Sequence, residues 1–199
     1  MSRLEKFSRL CRLAARVDCW ARLALLALTG FALPGFAADP PPANTHWVFE
    51  ATNHLGQWIW DTNTFDKQTC RLWKAFDIPQ DAKVAGATLR ITVDNGYSLF
   101  LDGREIGRGS DWRTVTEYDV TRLLGQGRHM IAVEGFNDRL EAGLIFGLHI
   151  EFIDQRTLDV TSDHSWFVVP DNKRNWMIRP MAAPHWRPAV VVGGINHHP

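Results

Sequence analysis

The stretch ATLRITVDNGYSLFLDGREIGRG, residues 87–109, leaves this chain few choices of fold. Ala87, Leu89, Ile91 and Val93 alternate with Thr88, Arg90, Thr92 and Asp94. That period of two belongs to a strand with one apolar and one polar face. Asn95-Gly96 interrupts it, Tyr97 to Leu101 resumes an apolar run, and Asp102-Gly103 interrupts again before Arg104 to Gly107. Asn-Gly and Asp-Gly supply the positive φ angles that two-residue hairpins require. The stretch therefore predicts an antiparallel meander of strand, turn, strand, turn and short strand, leaving through Gly107-Arg108-Gly109.

Neighbouring segments repeat the period. Arg71 to Ile78 alternates Leu72, Lys74, Phe76 and Ile78 against Trp73, Ala75 and Asp77, and stops before Pro79. Thr114 to Val120 and Arg128 to Asn137 read the same way. Leu144, Phe146, Leu148, Ile150 and Phe152 form a long apolar face, which places that strand centrally. The predicted core is Leu89, Ile91, Val93, Leu99, Leu101, Ile131, Val133, Leu144, Phe146, Leu148 and Ile150. Trp58-Ile59-Trp60 reads as core and edge cover, with a sugar platform as the lesser alternative. Past Pro170 the pattern fades into irregular sequence carrying Trp176 and Trp186. Neither an internal repeat nor a long amphipathic helix is visible, so the expected fold class is all-β, an antiparallel sandwich.

Charge is uneven along the chain. Of 22 basic and 22 acidic residues, six basic and two acidic fall in residues 1–37, which leaves 16 and 20 for the remainder. A mildly acidic domain without a basic block gives no support to nucleic-acid binding. Arg3, Lys6, Arg9, Arg12, Arg16 and Arg22 precede the apolar run Leu23 to Leu33, and Gly35-Phe36-Ala37 has small residues where a signal peptidase cuts. Residues 1–37 are thus expected to be a signal peptide, with an uncleaved anchor as the alternative. The run is short of the ~20 residues a membrane span needs. Asp39 to Asn44 is Pro-rich, so residues 38–46 are expected to be a stiff linker, 47–192 the sandwich and 193–199 a tail or the boundary to a further domain. Removal of the signal would leave Cys70 as the single cysteine, which makes an internal disulfide impossible.

Motifs of catalysis are absent: there is no GxSxG, HExxH, paired-Cys or Walker pattern. Gly125-Gln126-Gly127 lacks the Lys and following helix of a phosphate loop. The eight His are scattered, and a lone His is more often a satisfied surface or core residue than a metal ligand.

The run TVDNGYSLFLDGREIGRGSDW, then YDVTRLL, then HMIAVEGFND, resembles the accessory β-sandwich near the N-terminus of bacterial α-L-rhamnosidases. Asp163-x-Ser165-Trp166 and Trp186-Arg187-Pro188-Ala189 extend the resemblance, which runs from about Trp58 to about Val192. It implies a jelly roll of the galactose-binding-like kind, acting as a non-catalytic, carbohydrate-binding or accessory module of an exported carbohydrate-active protein. Catalysis in that family takes place in a separate helical barrel, and no such barrel is legible in this chain. Two other roles for such a sandwich are the ligand-sensing ectodomain of a receptor and a structural spacer within a larger glycosidase.

The candidate site is Asp94, Asn95, Trp112 and Asn137. Asp94-Asn95 ends one strand, Trp112 lies on the loop after the meander, and Asn137 ends another strand, so all can meet at one rim. The resemblance implies that an Asp-Asn pair, a loop Trp and a strand-end Asn bind a sugar there, with Ca²⁺ held at Asp94, Asn95 and Asn137. The chemistry is consistent. Carboxylate and amide oxygens are hard ligands, amides both donate to and accept from hydroxyls, and an indole offers a flat face to a sugar ring. Each residue also has a structural explanation: Asn95-Gly96 as a hairpin turn that Asp94 caps, Trp112 as a core or rim aromatic, Asn137-Asp138 as a strand-end turn. The expected partner is a mono- or oligosaccharide.

Overall fold

The computed structural model describes residues 43–47, 54–170 and 175–194. The expected signal peptide, the first part of the expected linker and the end of the tail lie outside them. Among the described residues thirteen strands follow in chain order: β1 (Ala43–Trp47), β2 (Trp58–Trp60), β3 (Gln68–Ile78), β4 (Val84–Asp94), β5 (Gly96–Leu101), β6 (Arg104–Gly109) and β7 (Thr114–Asp119). Then come β8 (Gly127–Asn137), β9 (Gly143–Phe152), β10 (Thr157–Thr161), β11 (Phe167–Val169), β12 (Arg187–Pro188) and β13 (Val190–Gly193). Two single 3-10 turns, Thr121–Leu123 and Trp176–Ile178, are the helical elements among the described residues. None is long and apolar enough to cross a membrane. The first sheet begins inside the expected linker, because Ala43–Trp47 is already a strand.

Every strand pair is antiparallel, and the pairs form two sheets. The first runs β1-β7-β4-β9-β2-β13, with β10 also lying along β9; the second runs β12-β11-β3-β8-β5-β6. The expected core residues are all buried between them, with Leu89, Ile91, Leu99, Ile131, Leu144, Phe146, Leu148 and Ile150 fully enclosed. Trp60 and Trp166 join the same cluster, so these tryptophans are core rather than platform. Tyr97 is in it too, its hydroxyl 3.1 Å from that of Tyr118. Burial of the two phenols raises the pKa of each.

One expectation needs correcting. Asn95-Gly96 is not a hairpin turn: β4 pairs with β7 and β9 in the first sheet, while β5 pairs with β8 and β6 in the second. The chain crosses the sandwich at Asp94-Asn95, a cis peptide, and neither Asn95 nor Gly96 has a positive φ. Both edges of β4 are already occupied, so β5 can bury Leu99 and Leu101 only from the facing sheet. The second turn is as expected. Asp102 (φ 52°) and Gly103 (φ 79°) join β5 to β6 in the left-handed conformation such a hairpin requires.

The irregular C-terminal segment has a defined place. Trp176, Ala183 and Trp186 pack on Trp73, Ala132 and Val169, outside the second sheet. Trp73 and Trp186 meet edge to face with ring centroids 5.3 Å apart. This segment gives the second sheet a covered outer face, so Trp73 and Leu72, on opposite sides of β3, are both buried.

Candidate functional site

Four connections cross between the sheets at one rim. Residues 61–67 lead from β2 to β3, Asn95 from β4 to β5, residues 110–113 from β6 to β7, and residues 138–142 from β8 to β9. Strand register puts their ends together: Asp94 opposes Gly143, Gly96 opposes Phe136, and Gln68 opposes Asn137. This topology explains why residues far apart in sequence share one opening.

Asp94, Asn95 and Trp112 line an open cavity of about 700 Å³ together with Asp138, Arg139, Leu140 and Glu141. Asn137 does not line it; it is fully buried, next in the chain to Asp138. Asn95 is clamped against this strand end. Its N–H donates to the Phe136 carbonyl at 2.5 Å, and its Oδ1 accepts the Asp138 N–H at 2.6 Å. The Asn137 amide is oriented by its donors, because Nδ2 donates to the carbonyls of Phe65 (3.1 Å) and Leu140 (3.3 Å). Its Oδ1 is then buried with no partner, and the Asp94 Oδ1 is in the same condition. Among the described residues, the remaining buried side-chain atoms without partners are indole nitrogens. An unsatisfied buried acceptor costs about 1–3 kcal/mol, and more when charged. Two of them at one rim are what a cation or a hydroxylated ligand would satisfy.

The electrostatics agree. Burial first, and the charge of Glu141 second, push the Asp94 carboxyl up to about 6. Asp138 behaves in the opposite way. Lys67 donates to it and Arg139 lies 3.3 Å away, which holds its carboxyl below the usual range. The cavity therefore has one compensated carboxylate and two, Asp94 and Glu141, that repel each other. Trp112 is half-buried on a fixed loop. The Thr92 hydroxyl reaches its carbonyl at 3.1 Å, and Arg113 forks onto Asp111 at 2.8 and 3.3 Å. The start of β3, paired with Asn137, is tied by Gln68, which accepts from the Trp60 indole at 2.9 Å and donates to the Asn63 carbonyl at 2.9 Å.

Sequence reasoning missed the segment from Asp138 to Glu141. It has no periodicity, and Asn137-Asp138 reads as a strand-end turn. The sequence offers there only three charged residues, Asp138, Arg139 and Glu141, between two strand patterns, and the sheets those strands join are a fact of the fold.

No protein-family model matches the chain. The chain is similar to an α-L-rhamnosidase of Streptomyces avermitilis, with 31% identity over 91 residues, 40% of this chain and 9% of that protein. The crystal structure of the Streptomyces avermitilis α-L-rhamnosidase complexed with L-rhamnose matches 69% of this chain and 14% of its own, at 26% identity and a TM-score of 0.63. The resemblance to α-L-rhamnosidases thus holds in sequence and in fold. A lectin from Pleurotus ostreatus in complex with GalNAc matches 69% of this chain and 42% of its own, at 21% identity and a TM-score of 0.59, a likeness of fold. This chain spans a small part of the length of the rhamnosidases it matches.

Proposed function

We propose that this chain is a non-catalytic, carbohydrate-binding accessory module of an exported carbohydrate-active protein. The rim cavity takes one monosaccharide unit beside a hard divalent cation such as Ca²⁺. The observation that carries this reading is a pair of buried, unpartnered oxygens: Asp94 Oδ1, on a residue lining an open cavity with an indole in its wall, and Asn137 Oδ1, on the buried residue next in the chain to Asp138 of that wall. Carboxylate and amide oxygens fit Ca²⁺. A cation here would satisfy both acceptors and relieve the repulsion between Asp94 and Glu141. Asn95 has one lone pair committed to the Asp138 N–H, so it holds the strand end in place and offers its remaining lone pair to the ion. Trp112 supplies the apolar surface for a sugar ring. The match to a rhamnosidase solved with L-rhamnose makes a deoxyhexose the first ligand to test.

The test is calorimetric titration of L-rhamnose and D-galactose into the chain, with Ca²⁺ and with a chelator. One small sugar on an open rim makes few contacts, so a dissociation constant on the order of 0.1–1 mM is expected, roughly 4–5.5 kcal/mol. Binding should require Ca²⁺. No heat from a folded sample at sugar concentrations about tenfold above that range would leave a structural spacer as the remaining role. Turnover of aryl glycosides, abolished by a single carboxylate change, would overturn the non-catalytic part.

A further inference from the structure

The outer face of the first sheet carries a second polar cluster, unrelated to the rim. Along β9 the residues facing away from the core are Ile145, Gly147, His149 and Glu151. β10 places Asp159 directly opposite His149. His54 arrives from the segment before β2, in the left-handed conformation (φ 61°). Its backbone lies where a side chain on Gly147 would stand: a Cβ there would be 1.9 Å from the His54 carbonyl oxygen. The next residues are sewn onto the sheet. Gly56 N–H donates to Phe146 at 3.0 Å, and Gln57 N–H donates to Ser162 at 2.8 Å. The glycine at 147 thus lets the backbone come close enough for the His54 ring to stack on His149, with centroids 4.0 Å apart and planes 28° apart.

Both rings aim Nδ1 at the same carboxylate oxygen. Asp159 Oδ1 is 2.7 Å from His149 Nδ1 and 3.1 Å from His54 Nδ1. One donor atom from each of the three residues lies within 4.8 Å of the others. Glu151 Oε1 stands 3.6 Å from His149 Nε2, on the far side of that ring.

We propose that His54, His149 and Asp159 form a binding site for a borderline divalent transition metal of the zinc class. Two imidazoles and a carboxylate make an N2O set of the kind that holds zinc with a fourth position open. Bonds of ~2.0–2.1 Å at tetrahedral angles place neighbouring ligand atoms about 3.3 Å apart, roughly 0.6 Å wider than the His149–Asp159 edge and roughly 0.2 Å wider than the His54–Asp159 edge. His54 and Asp159 are 41% and 43% exposed, so both side chains have room to open by those amounts and the ion has a path in. Binding shifts the proton of each neutral ring from Nδ1 to Nε2. Glu151 faces the Nε2 of His149, where a carboxylate accepts the N–H of a metal-bound imidazole and fixes its tautomer. Ca²⁺, which takes oxygen ligands, does not suit this donor set.

The experiment is calorimetric titration of ZnCl2 into the full chain and into His54→Ala, His149→Ala, Asp159→Asn and Glu151→Gln variants, in a weakly coordinating buffer. Expected is one site whose affinity falls at least ~10-fold in each of the three ligand variants and by roughly 10-fold in Glu151→Gln. The terminal His197-His198 and the cysteines are unchanged in all of them, so ions held there do not produce this pattern. Zn²⁺ affinity unaffected in the folded Asp159→Asn and His54→Ala variants, whose altered side chains are partly exposed, overturns the proposal. So does the absence of Zn²⁺ binding in the unaltered chain.

Discussion

Asp94 ties pH to both stability and binding. Its carboxyl sits at about 6 in the folded chain against an ordinary 3.8, so between those values the folded form holds a proton that the unfolded form has released. This group's contribution therefore favours the ligand-free fold most below pH ~4 and is lost as the pH rises through about 6. Asp94→Asn removes the effect. At pH 8 the ligand-free variant should be more stable than the parent, by on the order of 1 kcal/mol once water screening on the open side is discounted. At pH 5 the gain should shrink. Urea unfolding at both pH values checks this, and the same variant should lose Ca²⁺ binding. In the parent chain, Ca²⁺ affinity should fall as the pH drops through about 6. Trp112→Ala acts on another component of the site. It should weaken sugar binding about tenfold, ~1.4 kcal/mol, while Ca²⁺ affinity changes little, since the indole offers an ion no oxygen. That Asp94, Asn95 and Trp112 share one rim was legible because Asp94-Asn95 ends a strand pattern and Trp112 follows one; Asn137, also at a strand end, is buried next to Asp138 of the cavity wall. Glu141, which faces Asp94, was not legible, because an acidic residue on a loop has no sequence signature until its neighbours in space are known. The pairing of His54 with His149 was hidden for the same reason, because nothing in their spacing shows that Gly147 lets one backbone lie against the other strand.

At the scale of elements, alternation says which face of a strand is buried and nothing about which strand lies beside it. Leu89, Ile91 and Val93 and then Leu99 and Leu101 all lie in the core, as their alternation predicts. The connection between them is a crossover and not the expected hairpin, and alternation cannot tell the two apart because both bury the same residues. Asp102-Gly103 could be read from local chemistry, since its positive φ angles are local. The path at Asn95 depends on β7 and β9 occupying both edges of β4, which is a long-range fact. The central place of β9 was legible from its length. Leu148 is fully buried and lies in register between Leu89 on β4 and Val160 on β10. Leu148→Ala should therefore cost ~2–5 kcal/mol, read as a lower urea midpoint with an unchanged slope.

At the scale of the molecule, the two sheets share one core, so a local binding event should register as a change in global unfolding. The two proposed sites lie on different parts of the sandwich and differ in donor chemistry: oxygens alone at the rim, two imidazoles and a carboxylate on the outer face. An ion present at 100 times its dissociation constant adds about 2.7 kcal/mol to the folded state. For a domain of this size each kcal/mol moves the melting temperature by ~2–4 °C, so the expected rise is roughly 5–11 °C. Specificity should cross over between variants. The Ca²⁺-induced rise should vanish in Asp94→Asn and persist in His149→Ala; the Zn²⁺-induced rise should do the reverse. Calorimetric melting of the three proteins with each ion and with a chelator decides it. The chelator should return every sample to its ligand-free melting temperature without unfolding it, since apolar side chains close the core between the sheets. If both rises disappear together in either variant, the ions act on one shared site or on the fold as a whole, and the assignment of two separate sites fails.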